Sequence, residues 1–209
     1  IMGFADLLVQ LHVPYNSEKA RIIGQYVMKH IQIWADDESL NLGITRGVFP
    51  TWNGSSFNQI TQAYRNACRV TVAPTGTISM LADCSSGIEP IFALVWNKQN
   101  ILEGKTLTYV NKYFERDAKE YGFYSDDLMD YLAEGGSLGD RTDVPEWVQK
   151  VYITAPEISP YDHVLMQSVF QKYVDSGISK TINFDFTASV EDIHNAYMLA
   201  WKTRCKGIT

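Results

Sequence analysis

Apolar residues along this chain recur mostly at helical spacing and switch to a two-residue alternation only in short stretches. Residues 1–11 read as an amphipathic helix, which Pro14, Tyr15 and Asn16 interrupt. Ser17 then suits the N-cap of a long helix whose apolar positions Ile22, Ile23, Tyr26, Val27, Ile31 and Trp34 follow the 3.6-residue period, and which is expected to stop before Gly43. Loop chemistry over residues 47–56 leads to a shorter helix over 57–66. Residues 69–73 are rich in β-branched side chains, a strand candidate that runs into Pro74, Thr75, Gly76, Thr77, Ile78 and Ser79.

Further on, residues 92–96 and 106–110 read as a strand pair about a turn over 100–105, and residues 111–121 and 126–133 read as helices. The glycine-rich residues 135–139 are a linker within the fold, followed by a short helix over 145–151. Ser159 and Pro160 open a long helix expected to reach Asp175 or Ser176. A strand over 180–184, a helix opened by Ser189 with Asp192 three residues later, and a strand from Lys206 make a βαβ unit. Such a unit requires parallel pairing and a right-handed crossover, so the fold class is α/β, helix-rich, with one domain over residues 1–209 and no internal boundary. Ile1 falls inside a helical pattern and the last residues begin a strand, so both ends are expected to be cut from a longer sequence.

Composition narrows the classes. The 209 residues are 45% hydrophobic and 20% charged, the profile of a compact soluble chain rather than a disordered or collagen-like one. Eighteen basic against 24 acidic residues give a net charge of −6 with no Lys/Arg block, which disfavours nucleic acid as a partner. The longest unbroken apolar run, residues 91–96, is far short of the ~20 residues that span a bilayer. The amino-terminal helix lacks a basic flank and carries Asp6, so it does not read as a signal peptide. Cys68, Cys84 and Cys205 are odd in number and widely spaced, which points to a reducing compartment, the cytoplasm.

Two segments could carry chemistry. In residues 74–79 one glycine and three hydroxyls follow a strand, so free backbone N–H groups could cradle a phosphate; composition alone favours an ordinary strand-ending turn. In Cys84, Ser85, Ser86, Gly87, Ile88, Glu89 and Pro90, the carboxylate is either a site group or a surface acid capping a helix, and the latter is the simpler reading. No CxxC or HExxH spacing exists, so the three thiols and His12, His30, His163 and His194 read as ordinary residues with no metal site.

Taken in order, residues 66–67, 72–79 and 84–93 closely resemble the adenosylcobalamin-dependent (class II) ribonucleotide reductases. The resemblance extends to residues 1–6, 166–175, 179–183 and 205–209 and so covers nearly the whole chain. It implies the carboxy-terminal portion of a ten-stranded α/β barrel, with Thr75, Gly76, Thr77, Ile78 and Ser79 binding the phosphates of a ribonucleoside di- or triphosphate. Pro74, Ser85, Ser86, Gly87, Ile88 and Glu89 would line that site. Thr-Gly-Thr at 75–77 favours the cobalamin class over iron-dependent relatives, which carry a Ser-Glu-Thr type loop. By the family's order the catalytic cysteines lie upstream of Ile1, so no catalytic residue is expected in this chain and none of its thiols is promoted to that role. Adenosylcobalamin would serve the complete enzyme. The chain would need the remainder of the reductase, a complementary chain or a second copy of itself; the rival expectation is a non-catalytic binding or assembly module.

Overall fold

The computed structural model describes residues 1–101 and 105–209; residues 102–104 of the expected 100–105 turn lie outside them. Helices dominate. Helix α1 (Phe4–Gln10) is followed by α2 (Glu18–Arg46), α3 (Ser56–Gln59) and α4 (Gly76–Leu81). Strands β1 (Val95–Ile101) and β2 (Lys105–Val110) pair antiparallel, with Val95 opposite Val110 and Trp96 opposite Tyr109. Helices α5 (Lys112–Glu120), α6 (Asp126–Ala133), α7 (Glu146–Val151), α8 (Pro160–Gln171) and α9 (Val190–Lys202) complete the order.

The caps read from sequence are made. Ser17 accepts from the Ala20 amide, Ser159 from Asp162, and Ser189 and Asp192 exchange the reciprocal bonds of a capping box. Each satisfies amides that the helix itself cannot.

Three buried clusters organise the packing. Helix α1 has two apolar faces, sending Ala5 and Val9 into a cluster built on α5, α6 and α7, and Phe4 and Leu8 into one with Met28, Phe170 and Ile178. The third cluster joins Val164 of α8 to Ala196 and Ala200 of α9, with Ile182. Alternation along the extended segment between α8 and α9 thus sends Ile178 into the second cluster and Ile182 into the third, leaving Lys180 between them on the same face.

Several expectations need correction. Helix α2 continues through Gly43 to Arg46, because Gly43 is a contact notch rather than a stop: a Cβ there would lie 1.7 Å from the Ala63 carbonyl oxygen. Gly24 does the same for Phe170, whose ring would lie 2.6 Å from an added Cβ. The buried stripe of α2 is therefore Ala20, Gly24, Ser39 and Gly43 with one large residue, Met28, while Ile22, Tyr26 and Trp34 face outward. The helix expected over 57–66 is the single turn α3. Helix α8 stops at Gln171, whose amide donates to the Val174 and Ser176 carbonyls and holds the chain in a non-helical exit. The strand expected over 92–96 begins at Val95 instead.

The strands expected over 69–73 and 180–184 reduce to one parallel bridge, Val72 to Ile178, supported by the Ser179 amide donating to Val72 O at 2.9 Å. The Ile182 amide donates to Thr209 O at 2.8 Å, which brings the two ends of the βαβ unit side by side. Extended segments with so few neighbours do not build a ladder. No helix among the described residues is long and apolar enough to cross a membrane.

Candidate functional site

The loop of residues 74–79 leaves the Val72 bridge and turns at once into α4. Thr75, the N-cap, sits in the left-handed region with φ 54°, a conformation that β-branched residues seldom adopt. Hydroxyls hold it there. The Gly87 amide donates to Thr75 Oγ1 at 2.8 Å, and Ser86 Oγ donates to the Pro74 carbonyl at 2.5 Å. Ser86 has spent its proton, so across the 3.1 Å gap Thr75 donates to Ser86. Gly87 N–H, Thr75, Ser86 and Pro74 O therefore form one directional chain that ties the 85–90 turn to the loop.

The donors left facing outward are backbone groups. Ser79 is buried and its hydroxyl donates to Gly76 O at 3.0 Å, so the hydroxyls of Thr75 and Ser79 are both occupied by the fold. Gly76, Thr77 and Ile78 are exposed, and their amides occupy the first turn of α4, where a helix has no internal acceptors. A Cβ on Gly76 would meet nothing within 4 Å, so the space in front of the turn is open. At the other end of α4, Lys112 Nζ donates to Asp83 O and Oδ2 at 2.5 and 2.7 Å.

The turn behind the loop is anchored from two sides. Helix α1 docks on Ser85: its carbonyl accepts from the Gly3 amide at 2.8 Å, and its amide donates to Asp6 Oδ2 at 2.6 Å. Burial pushes the Asp6 carboxyl up from its ordinary value, against the pull of the Ser85 bond. Gly87 and Ile88 are buried, and Ile88 O accepts from the buried Tyr15 hydroxyl at 2.6 Å.

Glu89 is not the helix-capping surface acid of the simpler reading. Its Oε1 accepts from the Thr181 amide at 2.6 Å and its Oε2 pairs with Lys180 Nζ at 2.8 Å. The side chain of Lys180 is 0% exposed. It also meets Thr181 O and His163 Nδ1, each at 2.9 Å, and lies 5.8 Å from the Tyr15 ring centroid. Proton positions follow from these partners. His163 Nε2 faces Ala155 O at 3.1 Å, a group that only accepts, so Nε2 carries the hydrogen. Burial and the neighbouring Lys180 lower the His163 pKa to about 4, so the ring is neutral and Nδ1 is an acceptor. Lys180 then donates three hydrogens and is an ammonium, although burial pulls its pKa down from the ordinary value against the support of Glu89.

The loop residues Thr75 to Ser79 and the residues Ser85 to Glu89 are thus brought together, while the three thiols are not: Cys68 is exposed beside Ser176, Cys84 lies near Gly3, and burial raises the Cys205 pKa. Sequence reasoning missed Lys180, Tyr15 and Asp6 as supports of this region. The signal for Lys180 was available, since it is in phase with Ile178 and Ile182 on the apolar side of a two-residue alternation.

Comparison with known proteins places the chain. It matches the family described as "Ribonucleotide reductase, barrel domain" over residues 1–64 and 58–209. It is 48% identical over 209 residues to the vitamin B12-dependent ribonucleoside-diphosphate reductase of Thermoplasma acidophilum, a match that takes in 100% of this chain and 27% of that protein. The protein of the same name from Mycobacterium tuberculosis is 40% identical over 209 residues, again 100% of this chain and 29% of the relative. In structure, the class Id ribonucleotide reductase alpha subunit of Actinobacillus ureae superposes with a TM-score of 0.84 at 22% identity, over 99% of this chain and 36% of that one, which speaks to the fold. The chain spans less than a third of the length of these curated relatives. With its whole length matched by the barrel-domain profile, the chain belongs to the ribonucleotide reductase family.

Proposed function

We propose that residues 1–209 act as one unit, the carboxy-terminal part of the catalytic barrel of a cobalamin-dependent (class II) ribonucleotide reductase working in the cytoplasm, and that this unit holds the substrate's phosphates. The supporting observation is the open first turn of α4, with three outward amides beside a turn held by the hydroxyl chain. Amides of Gly76, Thr77 and Ile78, with the Thr77 hydroxyl, supply the donors; Thr75 and Ser79 shape the loop and leave their hydroxyls in it. A ribonucleoside di- or triphosphate held here presents its ribose to chemistry supplied by other parts of the enzyme.

The residues present do not fit the cofactor. The loop wall is made of exposed amides and hydroxyls suited to an anion rather than of a broad apolar slot suited to a corrin. Adenosylcobalamin is therefore assigned to the rest of the enzyme, and this chain by itself is expected to show no turnover with ribonucleotide, cobalamin and dithiol.

A titration with CDP and CTP tests the cradle. Gly76→Asp puts a carboxylate into the open space where the anion would sit, at a helix N-terminus that tolerates acidic residues. Binding that Gly76→Asp weakens at least about tenfold is the expected result. No binding by the unsubstituted protein, or equal binding by the variant, would reduce the loop to a turn. A second reading, an assembly module, is favoured by the outward Ile22, Tyr26 and Trp34 of α2 and by exposed Phe186, Val190 and Trp201. Turnover regained on mixing the chain with a complementary piece, without CDP binding by this chain, would select it.

A further inference from the structure

Lys180 touches no open space, and all three of its hydrogens are used, so it cannot itself hold a ligand. Its value lies in what Glu89 does next. The Glu89 carboxylate spans Lys180 Nζ and the Thr181 amide, and the Glu89 amide donates to Ser86 O at 2.9 Å. Ser86 in turn accepts from Thr75 and donates to Pro74 O. Three links lead from a buried ammonium to the N-cap of α4. The segments they join are 91 positions apart and share one backbone bridge, Val72 to Ile178, among the described residues. A hydrogen-bonded charge pair is the stiffest tie available where a ladder is absent.

We propose that the Lys180–Glu89 pair, with neutral His163 as third acceptor, is a positioning lock for the phosphate cradle: it sets the 86–89 turn, and through Ser86 and Gly87 the left-handed Thr75 from which the donating amides start. The inference rests on the phosphate reading above. Neither residue touches the nucleotide; both act through the turn.

The test is CDP binding to the complete reductase polypeptide to which that reading assigns this segment, followed by calorimetry and by the 31P resonance of the β-phosphate. Variants are Lys180→Met, Glu89→Gln, their combination, Gly76→Asp, and Tyr152→Phe as a control that loosens a different buried cluster. Glu89→Gln is expected to weaken CDP about tenfold and to move the bound β-phosphate resonance toward its free position. The double variant should bind no more weakly than Lys180→Met, as two members of one lock must. Tyr152→Phe should lower thermal stability and leave CDP affinity unchanged, which separates positioning from stability alone. Should Lys180→Met fail to fold, Glu89→Gln decides. Wild-type affinity in a folded Glu89→Gln protein, with binding still sensitive to Gly76→Asp, overturns the lock and spares the cradle. Absence of CDP binding, or indifference to Gly76→Asp, overturns both.

Discussion

Lys180 and Asp117 are both about 1% exposed, yet the groups that neutralise them come from different distances along the chain. Asp117 takes its cation from the adjacent residue. Arg116, its neighbour on α5, donates through Nε at 2.8 Å, Tyr152 donates its hydroxyl at 2.6 Å, and His12 Nε2 stands 3.7 Å away. Tyr152 is itself packed edge-on against Phe114, which lies one turn before Asp117 on α5, so this knot closes a helical lobe around one aromatic core. Burial and the Asp117 bond raise the Tyr152 pKa far above its ordinary value. Lys180 instead takes its counter-ion from a turn far away in sequence, beside an open loop. One buried charge consolidates a lobe that its apolar contacts already define; the other stands where few backbone bonds join two segments.

Removing the lysine should produce the largest effect. Lys180→Met leaves the Glu89 carboxylate without its cation, at a cost of about 3–5 kcal/mol in chemical denaturation if the pair behaves as buried pairs do. A loss no larger than that of a surface pair would erase the contrast between the two regions. Tyr152→Phe takes one bond from a carboxylate that keeps Arg116, and should cost about 1.5–3 kcal/mol by the same measurement.

Acid should separate the regions by its window. An unfolded histidine takes up a proton near its ordinary value of 6.5, whereas His163 in the folded chain does so at about 4. Between those values the unfolded state binds more protons, so stability falls as pH drops from about 6.5 toward 4. Tm measured across that range should slope downward, and His163→Gln should flatten the slope. The capping Asp192 and the paired Asp143 lie below their ordinary range, so their losses come at still lower pH. The smallest change is expected at Gly76, whose Cβ would meet open space. Gly76→Ala should raise stability by about 0.4–1 kcal/mol, read as a small rise in Tm, by restricting the unfolded chain.

The two regions also differ in how far the sequence disclosed them. Helices α5, α6 and α9 were legible because their apolar residues repeat at helical spacing, and α9 also because Ser189 announces it; Asn111 and Ser125 cap the other two in the structure. The loop was found through resemblance, since one glycine among hydroxyls is ordinary turn chemistry. Its supports were hidden for physical reasons: Glu89 and Lys180 acquire their meaning from a contact that no local pattern encodes, and Lys180 was visible only as a phase within Ile178 and Ile182. The strands near 72 and 182 were legible as β-branched runs, but a ladder is a property of neighbours rather than of one segment. Gly43 shows the reverse error, a glycine that serves packing where punctuation was expected.

On the proposed phosphate reading, the hydroxyl chain from Gly87 to Pro74 leaves a recognition surface written mostly in peptide units. Side chains at 76 and 78 can vary while the N–H groups stay in place, so an alanine scan would mark such a surface at Thr77 and pass over most of the rest. Replacement of single amides by esters, which deletes one donor and keeps every side chain, is the kind of scan that would make it legible, residue by residue.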